Sequence, residues 1–149
     1  MFQGRTALSL DAKGRLAIPA RHREALVAAS GGQIVLTAHP QEDCLLLYPA
    51  PAWEPVRDKI MAASSFDKQV AAYQRRLVGY ACDSALDSAG RLLIPWELRQ
   101  LAKFEKQVWF IGQGSRFEIW SDIGYWQQQN IFDDIRDQPL PSELKGLTL

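Results

Sequence analysis

Arg15 and Arg91 are the residues whose type and setting point most directly to chemistry. Each follows a glycine (Gly14, Gly90) and stands four residues after an aspartate (Asp11, Asp87). A guanidinium is a planar fork of donors that fits a phosphate or the edge of a guanine, and a neighbouring glycine lets the backbone come close to such a ligand. The aspartates suit a different task. A short carboxylate bonds the backbone of a tight turn, so Asp11 and Asp87 read as turn caps, with Gly14 and Gly90 able to take the positive φ that such a turn needs. The purely local alternative is that each arginine pairs with its own aspartate and the motif supplies order alone.

Around the first motif the charge is one-sided. Between positions 5 and 23 five basic residues (Arg5, Lys13, Arg15, Arg21, Arg23) oppose one acidic residue, Asp11. Arg15, Lys13, Gly14, Arg5, Arg91, Arg21 and Arg23 are therefore the candidate nucleic-acid contacts. Arg21 and Arg23 lie on a helix, where a charged cluster is more often a solvated face. The second motif carries Ala89 where the first has Lys13, so Arg91 stays open between a DNA contact, an ion pair and a subunit interface. The chain as a whole holds 17 basic and 17 acidic residues, which excludes binding by bulk charge and leaves a local basic face.

Catalysis has little to stand on. His22 lies among arginines and His39 precedes Pro40, and neither spacing suggests a metal site or a nucleophile with its base. Asp11 and Asp87 form a two-carboxylate site only if a symmetry axis passes between them, and each already has a turn to cap. Gly31-Gly32 and Gly112-x-Gly114 lack the context of a phosphate-binding loop. No catalytic residue, metal site or cofactor is expected. Cys44 and Cys82, each with apolar neighbours, read as buried free thiols.

The elements that must position the arginines come twice. Ser9 to Pro19 returns 76 residues later as Ala85 to Pro95, with seven of eleven residues identical at the same offsets. Two copies are too few for a solenoid, so a pseudo-two-fold pair is expected. Thr6–Leu10 and Arg15–Ile18 flank Asp11-Ala12-Lys13-Gly14 as a β-hairpin, and Pro19 stops the second arm. A helix over Ala20–Ala29 ends at Ser30-Gly31-Gly32, with Arg23, Leu26 and Val27 on one side. Strands follow at Ile34–Thr37 and Cys44–Tyr48.

The second copy repeats this order. It has a hairpin across Asp87–Gly90, a helix from Trp96 to Lys103, and strands at Val108–Ile111 and Phe117–Trp120. Between the copies, Trp53, Val56 and Ile60 share one helical face. Phe66, Val70, Tyr73 and Leu77 continue it after a Ser64-Ser65 cap. Ile123–Ile135 is a further helix ahead of a Pro139-x-Pro141 tail. Trp53, Trp109, Trp120 and Trp126 are expected in the core or a subunit interface.

The expected fold class is α+β with a mainly β core, a barrel closed from both halves with helices packed outside. The division is 5–52 for the first domain, 53–79 for a helical connector, 80–123 for the second domain and 124–149 for a helix and tail. No apolar run suits a membrane span and the N-terminus lacks the order of a secretory signal, which points to a cytoplasmic protein.

Met1-Phe2-x-Gly4, Leu10-Asp11-x-Lys13-Gly14-Arg15-Leu16, Cys44-Leu45-Leu46-Leu47-Tyr48-Pro49 and Leu86-Asp87-x-Ala89-Gly90-Arg91-Leu92-Leu93-Ile94 together resemble the bacterial MraZ family over essentially the whole chain. That resemblance implies two SpoVT-AbrB-type domains, similar to the swapped-hairpin AbrB and MazE group, folded as a double-split β-barrel. It further implies a DNA-binding transcriptional regulator, typically acting on the promoter of the division and cell-wall gene cluster that holds its own gene. A ring-shaped homo-oligomer associated with the nucleoid is implied as well. The family motif falls on Asp11, Arg15, Asp87 and Arg91, with Arg15 first among the DNA-facing residues and Lys13 and Gly14 beside it. The expected function is a repressor that binds double-stranded DNA at promoter direct repeats. The other reading is a ring-forming structural or interaction protein without specific DNA binding.

Overall fold

A computed structural model describes residues 1–149. In chain order the elements are β1 (Phe2–Ser9), β2 (Arg15–Ala17), α1 (Ala20–Ser30), β3 (Ile34–Ala38), β4 (Cys44–Pro49), α2 (Ala50–Ala62), α3 (Lys68–Tyr73), β5 (Cys82–Ser84), β6 (Arg91–Leu93), α4 (Trp96–Leu101), β7 (Gln107–Gly114), β8 (Arg116–Ser121) and α5 (Asp122–Ile135). The class is α+β, with the strands in a six-stranded sheet of order β1-β7-β8-β4-β3-β5 and a separate two-stranded ribbon of β2 and β6, all antiparallel.

The expected hairpins do not form. Each turn closes locally, through Gly14 N–H to the Asp11 carbonyl at 3.0 Å and Gly90 N–H to the Asp87 carbonyl at 2.9 Å, but the arms then part. β1 runs along β7 from Phe2 opposite Gly114 to Ser9 opposite Gln107, and β2 pairs with β6 from the other repeat. Length explains the choice. Pro19 fixes φ and offers no N–H, so β2 is three residues long, whereas β7 matches all eight residues of β1.

The registers carry the internal symmetry. In the ribbon Leu16 lies opposite Leu92, its own counterpart 76 residues on, with Arg15 opposite Leu93 and Ala17 opposite Arg91. In the large sheet Leu45 faces Ile119 and Leu47 faces Phe117 around a central pair of Leu46 and Glu118. A pseudo-two-fold therefore passes between Leu16 and Leu92 and between Leu46 and Glu118. Leu16, Ile18, Leu92 and Ile94 join Leu36, Leu45, Leu47, Phe110, Phe117 and Ile119 in one core filled from both repeats. Neither half could bury this surface alone.

Outside the sheet, Trp53 and Tyr48 head a second cluster under α2, and Trp120, Tyr125 and Cys44 a third under α5. The connector departs from expectation at its middle. α2 ends at Ala63 in extended backbone, and α3 is capped by Asp67, whose carboxylate accepts from Gln69 N–H at 2.8 Å and Val70 N–H at 3.1 Å. The Ser64 hydroxyl accepts only from Phe66 N–H, and the Phe66 ring stands in solvent. Asp and Ser cap helices about equally well, and Asp67 is the one that directly precedes Lys68. Leu77, in a π-helical turn over Gln74–Val78, is held by its carbonyl accepting from Thr37 Oγ1 at 2.6 Å. Val27 is exposed, unlike Leu26, because α1 rests on the core by a narrow face. Cys44 is a buried free thiol and Cys82, on an edge strand, is only half-buried. Trp126 is half-exposed, packed edge-on against Trp109.

Candidate nucleic-acid interface

Each turn is built by one carboxylate used twice. Asp11 Oδ1 accepts from Lys13 N–H and Arg15 N–H, both at 2.9 Å, while Oδ2 accepts from Arg15 Nε at 2.7 Å. Asp87 does the same with Ala89 N–H at 3.0 Å, Arg91 N–H at 2.9 Å and Arg91 Nε at 2.9 Å. The donated backbone N–H of Arg15 is the main reason that the Asp11 carboxyl lies at about 2, with the Arg15 side chain and Lys13 N–H adding to it. Asp87 is lowered likewise, first by the backbone N–H of Arg91. Gly14 and Gly90 take φ of 81° and 76°, a region that costs other residues strain.

The ion pair and a ligand-facing role turn out to be compatible. Only the Nε edge of each guanidinium is spent on the aspartate, and the terminal nitrogens of Arg15 and Arg91 have no protein partner. Strand alternation sends Leu16 and Leu92 into the core and puts Arg15, Ala17, Arg91 and Leu93 on the opposite face of the ribbon. Arg15 and Arg91 are diagonal neighbours there, roughly 7–8 Å apart at Cα by ladder geometry. The fold thus brings two aimed guanidinium forks, one from each repeat, onto one exposed ribbon, with Lys13 at the tip of the first turn.

Other candidates lie elsewhere. Arg5 bonds the Tyr125 hydroxyl and lies 5.4 Å from the Trp109 ring centroid and 5.6 Å from that of Tyr125. It is clamped on the α5 side of the sheet. Arg21 donates to Thr6 Oγ1 at 3.0 Å and to His22 Nε2 at 3.3 Å, at the β1 edge. His22 itself is buried edge-on to Phe117, where burial first and the Arg21 charge second hold the imidazole below its usual value. Arg23 crosses to the other repeat: a Cβ placed on Gly90 would fall on its Cδ and Nη1. Its counterpart Arg99, 76 residues on, does the same over Gly14, 2.6 Å from such a Cβ at its Cζ. Sequence reasoning missed Arg99, although the Arg23 offset repeats just beyond the eleven-residue motif.

With this geometry in view, comparison with known proteins is informative. The MraZ protein family model matches twice, over residues 1–76 and 77–137. The chain belongs to the MraZ family. Over their full lengths it is 59% identical to a protein of Dechloromonas aromatica and 57% identical to one of Methylobacillus flagellatus, each named transcriptional regulator MraZ. A Nitrosomonas europaea protein of the same name is 46% identical over 150 aligned residues. The double MraZ match agrees with the two repeats. No helix is long and apolar enough to cross a membrane.

Proposed function

We propose that this chain is a sequence-reading, DNA-binding transcription regulator and that the exposed face of the β2–β6 ribbon is its reading surface. The observation that carries this is the pair of guanidinium forks, Arg15 and Arg91, held by Asp11 and Asp87 with their terminal nitrogens unspent. A two-stranded ribbon is one of the two elements that fit the major groove, and a fork of donors suits O6 and N7 of guanine. Arg15 reads the base edge and Lys13 takes a phosphate, while Gly14, buried under Arg99, shapes the turn that presents them. The names of the relatives support a regulator rather than an enzyme.

One ribbon with a few cations on a chain of zero net charge binds too weakly alone, so several copies act together on directly repeated sites. Exposed Ile123, Trp126, Ile131, Phe132 and Ile135 along α5 support such self-association, since large apolar side chains left uncovered along one helix suit a protein partner. Our reading is a ring that represses the promoter of its own division and cell-wall cluster, in the cytoplasm at the nucleoid. We read the ribbon and the six-stranded sheet as the parts of a double-split barrel. The same α5 surface favours the second reading, a ring-forming scaffold whose basic turn holds an acidic protein segment. A gel-shift titration across salt separates the two. DNA binding falls log-linearly with salt and is selective for the DNA upstream of its own gene, whereas the scaffold shows neither property.

A further inference from the structure

Arg23 and Arg99 each reach from one repeat onto the turn glycine of the other. Each sits where a side chain on the turn glycine would be: Arg99 brings Cζ, Nη1 and Nε to 2.6, 2.8 and 2.9 Å of a Cβ on Gly14, and Arg23 overlaps one on Gly90. Each Nε is buried and has no hydrogen-bond partner, so at that atom the side chain is held by packing and not by a bond. The grip is double. Ile18 N–H donates to the Gly90 carbonyl at 3.1 Å and Ile94 N–H to the Gly14 carbonyl at 2.9 Å, so the segment from Ile18 to Arg23 holds Gly90 at both its carbonyl and its α-carbon. Ile94 to Arg99 holds Gly14 in the same way. The helices that launch the two arginines begin identically, with Arg23 N–H donating to the Pro19 carbonyl and Arg99 N–H to the Pro95 carbonyl.

We propose that Arg23 and Arg99 are positioning residues that act crosswise, Arg99 of the second repeat seating the turn that carries Lys13 and Arg15, and Arg23 of the first repeat seating the turn that carries Arg91. The link to DNA rests on the reading above; the crosswise support of the turns does not. The glycines are then needed for space as well as for φ, because the arginine occupies the volume a side chain would take. Damage to one repeat is therefore expressed in the other.

The test has two arms on the full chain. Hydrogen–deuterium exchange without DNA reads the turns directly: Arg99→Ala speeds exchange in the peptide holding Lys13 to Arg15 and spares the one holding Ala89 to Arg91, and Arg23→Ala does the reverse. Arg23→Met and Arg99→Met, which keep an unbranched stem of similar reach without the charge, restore protection. They also keep the readout available if an alanine variant fails to fold. The second arm is DNA affinity across salt. Arg99→Ala loses as much affinity as Arg15→Ala, and Arg99→Met recovers most of it with the salt slope unchanged. Exchange that rises equally at both turns, or at neither, overturns the proposal. So does a salt slope that drops by about one unit in Arg99→Met with both turns undisturbed, the signature of a phosphate contact. Should wild type show no selective shift, the DNA reading fails while the exchange arm still decides the support.

Discussion

The two turns share a backbone and differ in dressing. Asp11–Arg15 and Asp87–Arg91 make the same three carboxylate bonds, the same glycine conformation and the same cross-repeat bonds to Ile94 and Ile18. The differences lie on the solvent side: Lys13 against Ala89, Ala17 against Leu93, and Ala20 against Trp96, with Leu93 and Trp96 both exposed. Turn geometry is thus set by residues that both copies retain, while the chemistry offered outward is free to diverge. The first turn presents charge. The second presents one guanidinium flanked by apolar surface, which suits a partner surface with less phosphate or a neighbouring copy.

If the pseudo-symmetry is structural, truncations on the axis must hurt equally. Leu16→Ala and Leu92→Ala each remove a fully buried side chain and should each cost about 2–5 kcal/mol in denaturant unfolding. A clear inequality would break the equivalence of the repeats. Next in size is the divergence itself. Arg15→Ala should cost about 1–3 kcal/mol of DNA affinity per base contact made and relax sequence choice, with the fold intact because its ion pair with Asp11 is partly solvent-exposed. Arg91→Ala should cost less.

A smaller effect tests the dressing alone. Lys13→Ala should lower the salt slope of binding by about one and leave base preference unchanged, and Ala89→Lys should not compensate for it if only the first turn meets DNA. The smallest effect concerns pH. The Asp11 carboxyl lies at about 2 against an ordinary 3.8, so the stability it lends is complete above about 3.8 and is lost as pH falls through 2. Carbon-detected titration of the folded chain should place the Asp11 midpoint near 2, and Asp11→Asn should remove that part of the acid dependence.

Local chemistry was legible in the sequence and partnership was not. Asp11, Gly14, Asp87 and Gly90 announce their turns because a short carboxylate and a positive φ act within five residues. The strands around Leu36, Leu45, Phe110 and Phe117 announce themselves by unbroken apolar runs. The partner of a three-residue strand such as Arg15–Ala17 has no local signal, since it is chosen by which pairing buries Leu16 against Leu92. The clamp on Arg5, formed by Trp109 and Tyr125, has no local signal because it lies more than a hundred residues away. Arg99 was hidden for the same reason, its role depending on a glycine in the other repeat.

The most direct test of the central claim is the affinity of wild type, Arg15→Ala and Arg91→Ala for the DNA upstream of the chain's own gene, against a scrambled fragment, with oligomeric state followed in parallel. The account predicts selective binding by wild type, its loss in Arg15→Ala with the assembly intact, and a smaller loss in Arg91→Ala. Selective binding that survives Arg15→Ala unchanged would contradict it.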